Sequence, residues 1–275
     1  MCRRKSFLVA AVLGAAGLLL NAVPRQSPAA PIRKGDLVVT TSDPTEIKSE
    51  DQVLLTLRAG TTLVAEEMKE DWVLVTAKKD GKEATGFVHV EGLRRIEMLR
   101  HASPRGFSLK YPEGWKIASA EERADAARNV ARYFEQFRGA DPAKVPVMIY
   151  HPGQEEFAEN ITCSVGPGSV SKITADSARQ YVSGLREGFE KLGARLGSVR
   201  AEAIDVGKRK AISARWDVTV RDVKEPVRQW QLLVPGRSQD YVITCSAFAS
   251  RFERYEPLFS AVVRSIEVDV GGAKP

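Results

Sequence analysis

The sequence predicts a multi-domain chain of class β plus α+β: a small β-barrel, then a larger α+β domain whose helices flank an antiparallel sheet. Three observations carry this prediction. Between Ile32 and Ile96, short alternating runs follow one another closely with no helical stretch. Beyond residue 104, longer strand runs mix with three helical stripes. The first 29 residues match neither texture, and the ~246 that follow exceed the ~100–200 of one average domain.

Residues 1–29 carry Arg3, Arg4, Lys5 and Arg25 and no acidic side chain, around an unbroken apolar run from Phe7 to Leu20. A basic start, an apolar centre and a small-residue exit at Ser27-Pro28-Ala29 form a secretory signal peptide, so the protein is expected to be exported, periplasmic or extracellular. The alternative is an uncleaved N-terminal membrane anchor, since extension through Val23 reaches about 17 residues, the short end of the spanning range. Cys2 precedes the apolar run and so is not a lipoprotein cysteine. No later stretch approaches the ~18–20 apolar residues of a membrane span.

Export also changes the charge. The chain has 41 basic and 35 acidic residues, a formal +6. Removing the four basic residues of the signal leaves 37 against 35, a net of +2. A near-neutral surface provides no general field for nucleic acid or anionic lipid, and neither is expected as a partner.

In the first module, strands are expected at Asp36–Thr41, Gln52–Leu57, Thr62–Met68, Trp72–Thr76 and Gly86–Val90, with turns at Ala59-Gly60-Thr61 and Lys79-Asp80-Gly81. Five or so short strands without a helix suit a barrel, which hides its sheet edges by closing. The strings Leu57-Arg58-Ala59-Gly60-Thr61, Asp71-Trp72-Val73-Leu74-Val75 and Gly86-Phe87-Val88 with Leu93 resemble a bacterial SH3-like domain over 32–96. Phe87 stands where the family has Trp. The resemblance implies a binding module used outside the cytoplasmic membrane on cell-wall peptides or protein partners. Val73, Val75, Val88 and Val90 read as core, and His89 shares the phase of Phe87 rather than of the valines. Trp72 and Phe87 line a peptide groove in one reading and pack the interior in the other.

Residues 97–103 read as a linker. Phe107–Tyr111 is a strand, and Tyr111-Pro112-Glu113-Gly114 is a type I turn before Trp115. Glu121–Phe137 is helical, with Ala127, Val130, Ala131, Phe134 and Phe137 on one stripe. Strands follow at Val145–His151 and Glu159–Val165. Thr174–Leu192 is the strongest helix, with Thr174 as its N-cap and Ala178, Tyr181, Val182, Leu185, Phe189 and Leu192 in line. Ile212–Val220, Val227–Val234 and Tyr241–Phe248 are strands joined by short turns and therefore antiparallel, with one partly wet face. A last helix is expected at Glu256–Arg264, with Pro257 in its first turn.

This order, with the Phe107…Tyr111-Pro112-Glu113-Gly114-Trp115 opening, Asn160-Ile161-Thr162, Tyr241-Val242-Ile243-Thr244 and Phe252…Tyr255…Phe259…Ser265-Ile266, resembles the PsbP-like superfamily over 104–270. That group includes a photosystem II extrinsic protein and a Ran-binding import factor. The resemblance implies an antiparallel sheet flanked by helices and a protein-binding role rather than catalysis.

No catalytic constellation accompanies either module. His89, His101 and His151 have no zinc-ligand spacing, and Pro152-Gly153 separates His151 from Glu155 and Glu156. There is no GxSxG elbow, and Gly166-Pro167-Gly168 lacks the Lys of a phosphate loop. No catalytic, cofactor or metal residue is assigned. Cys163 and Cys245 lie on the apolar phase of their strands. An oxidising compartment allows a disulfide between them, while two buried free thiols is the other reading. The sequence therefore points to an exported, non-enzymatic binding or adaptor protein whose partner is a protein or cell-wall peptide. An exported hydrolase with a scattered site and a membrane-tethered structural subunit are the alternatives.

Overall fold

The computed structural model describes residues 31–133, 145–152, 158–168, 173–191, 194–219 and 225–269. The expected signal segment, residues 1–29, lies outside them, as do Phe134, Phe137, Glu155, Glu156, Leu192 and Val220. The described residues form β-sheets with three α-helices, an α+β fold. They divide into two compact units: one takes 31–99 with Ser250–Val262, the other 100–249 with 263–269.

The first unit contains β1 (Leu37–Thr40), β2 (Thr45–Ser49), β3 (Gln52–Leu57), β4 (Thr62–Val64), β5 (Glu67–Lys69), β6 (Trp72–Lys79), β7 (Lys82–His89) and β8 (Leu93–Arg95). The expected closed barrel is corrected here. The ladder separates into a three-stranded sheet, β4-β1-β8, and a five-stranded sheet, β3-β2-β7-β6-β5. The expected run Thr62–Met68 breaks at Ala65-Glu66, where the Ala65 amide donates to Asp36 O and the Glu66 amide to Leu74 O. The chain thus changes sheets between β4 and β5, so no single ladder carries all eight strands. Both sheets share one core, with Val38, Ile47, Leu57, Leu63, Val73, Val75, Val88 and Leu93 buried in it.

Two local features hold the five-stranded sheet. Asp80 (φ 52°) and Gly81 (φ 76°) make the two-residue β6–β7 turn, whose positive φ at both positions matches the strand twist. Gly86 packs so tightly that a Cβ there would lie 2.5 Å from Lys48 O. Strand β2, which the sequence reading missed, lies between β3 and β7 and carries a register shift at Ile47/Lys48.

Residues 97–103, expected as a linker, hold strand β9 (Met98–Ser103), and the division between the two units falls within them, between Leu99 and Arg100. The strand lies beside β10 (Phe107–Pro112), whose other neighbour is β19 (Glu267–Val268). Arg100 bridges to Ser108 Oγ (3.2 Å) and Glu267 (2.8 Å), an interaction 167 residues long that no local reading could supply.

The second unit is built on an eight-stranded antiparallel sheet. Its strands are β11 (Lys116–Ile117), β12 (Val147–Tyr150), β13 (Asn160–Pro167), β14 (Arg195–Leu196), β15 (Arg200–Val206), β16 (Arg209–Thr219), β17 (Val227–Pro235) and β18 (Gln239–Phe248). The order is β11-β12-β13-β18-β17-β16-β14, with β15 also paired to β16. Helices α1 (Ala120–Tyr133) and α2 (Ala175–Lys191) supply Ala126, Ala127, Leu185 and Phe189 to the core against Met148, Ala214, Trp216, Val218 and Phe248. Both helices start in reciprocal caps. The Ser119 amide donates to Glu122 Oε2 (2.6 Å) and the Glu122 amide to Ser119 Oγ (3.1 Å). The Ser177 amide donates to Thr174 Oγ1 (3.1 Å), and the Thr174 amide to Ser177 Oγ (3.3 Å). Such boxes satisfy donors that the helix itself leaves open.

The expectation of a partly wet face fails at the centre of this sheet. Asn160, Ser246 and Gln229 form one cross-strand row, and Thr162, Thr244 and Gln231 form the next. All six are at most 2 % exposed. Gln231 Nε2 donates to Thr244 Oγ1 (2.8 Å), Gln229 Nε2 donates to Ser246 Oγ (3.2 Å), and the Tyr181 hydroxyl of α2 donates to Gln231 Oε1. Polar alternation here is internal hydrogen bonding, which makes burial of polar groups tolerable.

The last helix, α3 (Ala249–Arg264), begins seven residues before the expected Glu256, which places Pro257 inside it rather than in its first turn. Its ring pairs Phe252–Phe259 and Tyr255–Phe259 are buried and seven and four residues apart, both spacings of one helical face. Within the first unit, Thr62 Oγ1 donates to Arg254 O (2.6 Å) and Arg254 Nη2 to Ala59 O. The Gly60 turn, at φ 78°, leaves that guanidinium its space.

Candidate partner-binding face

Alternation along β6 and β7 divides their side chains between two environments. Val73, Val75 and Val88 point into the core. Trp72, Leu74, Phe87 and His89 take the other side, and register brings them together: Trp72 opposes His89, and Leu74 opposes Phe87. Lys48 of β2 pairs with Phe87 on one side and Val53 of β3 on the other. The outer surface of the sheet therefore carries a band of apolar and aromatic groups, Val53–Phe87–Leu74 with Trp72–His89 beside it.

The geometry of this band is open. Trp72 is 39 % exposed, and its ring meets the His89 ring edge-on at 5.1 Å. The His89 ring is itself held, since its Nδ1 accepts from the Glu91 amide (3.4 Å) at a 3₁₀ turn, Val90–Gly92. Phe87 and Leu74 are half-buried. The charges in and beside the band balance: Lys48, between Val53 and Phe87, pairs with Glu46 at 2.8 Å, while β5 adds Glu67 and Lys69 opposite Leu74 and Trp72. A partly exposed indole held by a neighbouring ring suits packing against a flat or apolar ligand group. The balanced rim favours a neutral or mixed-charge ligand.

The two aromatic residues singled out in the sequence thus lie on one face, on adjacent strands. Leu74, Val53 and the ring contact of His89 were not assigned to it in advance. The first is legible from its phase with Trp72; Val53 reaches the face only through the β2–β7 pairing that sets Lys48 beside Phe87, which is non-local.

The other singled-out residues lie elsewhere. Cys163 and Cys245 are free and fully buried, so the bridge that export allows is corrected to two thiols. Cys163 opposes Ile243, and Cys245 opposes Ile161, which makes the cysteines diagonal neighbours. Diagonal positions on antiparallel strands lie ~7–8 Å apart, beyond the Cα separation a disulfide accepts. Burial pushes both thiols far above their ordinary range. His101 is on β9 beside Phe107 (6.5 Å between rings), and burial lowers its pKa. The His151 ring packs on Trp115 at 5.7 Å. Tyr150 is pushed up to about 12, first by burial and then by its hydrogen bond to Glu122 (3.0 Å). Among the described residues no three His, Cys, Asp or Glu side chains converge as metal ligands, and no helix is long and apolar enough to cross a membrane.

No family model matches the chain, and no curated protein matches it. Among solved structures it is similar to cyanobacterial PsbP (CyanoP) from Synechocystis, with 18 % identity, TM-score 0.43, 62 % of this chain and 92 % of that one covered. It is also similar to the E65A mutant of Mog1, with 15 % identity, TM-score 0.39 and coverage of 63 % and 95 %. A third is LpqN, described as involved in cell envelope biogenesis of Mycobacterium tuberculosis, at 12 % identity, TM-score 0.38 and coverage of 63 % and 91 %.

Proposed function

We propose that this is an exported, non-enzymatic binding or adaptor protein, in which an SH3-like module at 32–96 recognises a peptide or cell-wall component. A PsbP-like module at 104–270 docks a second protein. The observation that carries the reading is the outer face of β6 and β7, where Trp72, Leu74, Phe87 and His89 gather on the side away from a complete core. Trp72, 39 % exposed on a strand face beside Leu74 and Phe87, supports the reading of that face as a contact surface. The motif resemblances in the sequence support the module types, and the signal segment supports the compartment.

The test is a titration of the mature chain with muropeptides and with extracted envelope proteins, followed by NMR chemical shifts. Shifts centred on Trp72, Leu74 and Phe87 are expected. Trp72→Ala should weaken binding about tenfold or more without altering the fold, as removal of an aromatic anchor does. Shifts elsewhere, or none with either ligand class, would overturn the assignment.

A further inference from the structure

The sheet edges of this protein are not alike. β5, at one end of the five-stranded sheet, places Glu67 and Lys69 among its three residues. β15 in the larger sheet carries Arg200, Glu202 and Asp205. Charge of this kind blunts an edge, because pairing another strand would desolvate it. β3 carries no such charge, and its one irregularity is the bulge at Leu54, which the ladder to β2 skips between Val53 and Leu55. Its six residues, Gln52-Val53-Leu54-Leu55-Thr56-Leu57, contain no charge and no proline, and Val53 and Leu54 are 43 % and 38 % exposed. Lys79 Nζ donates to Thr56 O (2.8 Å), which leaves Gln52–Leu55 as the open part.

We propose that β3 pairs antiparallel with β3 of a second copy of this chain, about a two-fold axis normal to the sheet. The ends of the strand select that occupant. Glu50 and Asp51 precede it and Arg58 follows it, and all three are exposed. Antiparallel self-pairing lays the acidic end of each strand beside Arg58 and Lys79 of the other, twice by symmetry. Parallel pairing would set like charges together, and a partner strand of uniform charge would suit only one end. The axis leaves the Trp72 face of both copies on the same side of one continuous sheet. A single short strand pair is a small interface, so the dimer is weak and concentration-dependent. Two such faces on one sheet would raise avidity for a repeated ligand.

Sedimentation velocity of the mature chain between about 1 μM and about 500 μM, the range of a weak interface, should give a reversible monomer–dimer equilibrium. Leu54→Lys, at an exposed position, should weaken it about tenfold or more. Reversing both ends, with Glu50→Lys and Asp51→Lys in one chain and Arg58→Glu added, should restore what either half alone loses. A spin label at Gln52→Cys should report a second label within about 20 Å, a few strand spacings away. A chain that stays monomeric throughout, a dimer indifferent to Leu54→Lys, a charge reversal without rescue, or a dimer with distant labels would overturn the proposal.

Discussion

Replacement of Gln231 by leucine tests whether the buried polar rows act as a connected unit. Gln231 is fully buried, donates to Thr244 Oγ1 at 2.8 Å and accepts from the Tyr181 hydroxyl. Leucine fills similar space but strands both hydroxyls, each at about 1–3 kcal/mol. The added apolar burial returns roughly 1–1.5 kcal/mol, so a net loss of about 2–4 kcal/mol is expected for Gln231→Leu. Tyr181→Phe leaves Gln231 Oε1 without its donor and should cost about 1–2 kcal/mol. The double variant removes donor and acceptor together. It should be no less stable than Gln231→Leu alone, a coupling of about 1–2 kcal/mol. Urea unfolding followed by tryptophan fluorescence and near-UV circular dichroism measures all four corners of the cycle. Losses that add within about 0.5 kcal/mol would refute the connected network.

Three further outcomes follow from local features. Ser119→Ala removes half of the α1 capping box and should cost about 1 kcal/mol in urea unfolding. Glu122 is held below the usual carboxylate range, first by the Ser119 amide. A depressed carboxylate contributes fully above its unfolded value near 4.5 and loses that contribution as pH falls through the folded value. Glu122→Gln should therefore flatten the stability profile below about pH 4.5. Thiol labelling provides the other check: neither Cys163 nor Cys245 should react in the native protein, and both should react in denaturant under non-reducing conditions. A disulfide, or a native thiol that labels rapidly, would contradict the buried register.

Much of this architecture was readable locally. The stripe Ala178–Leu185–Phe189 and the Thr174 cap placed α2 to within a residue of Ala175–Lys191. Asp80-Gly81 and Gly60 marked turns because positive φ is costly for other residues. The valine phase against Trp72 and Phe87 separated core from outer face along β6 and β7, since strand alternation follows from the backbone itself.

Alternation says which side a residue takes, but not what lies opposite it or what covers it. β2 gave a weak local signal and is held in the sheet by β7, distant in sequence, while β9 pairs with its chain neighbour β10, which is itself completed by the distant β19. Cys163 and Cys245 share a phase, yet pairing sets them one diagonal apart and forbids the bridge. Gln229 and Gln231 look like a wet face in sequence and are buried because neighbouring strands and α2 satisfy them. Residue order alone determined the local conformations and the two textures of the chain. Register, burial of the polar rows and the assembly of the Trp72 face were decided only by tertiary structure, because each depends on which distant strands meet.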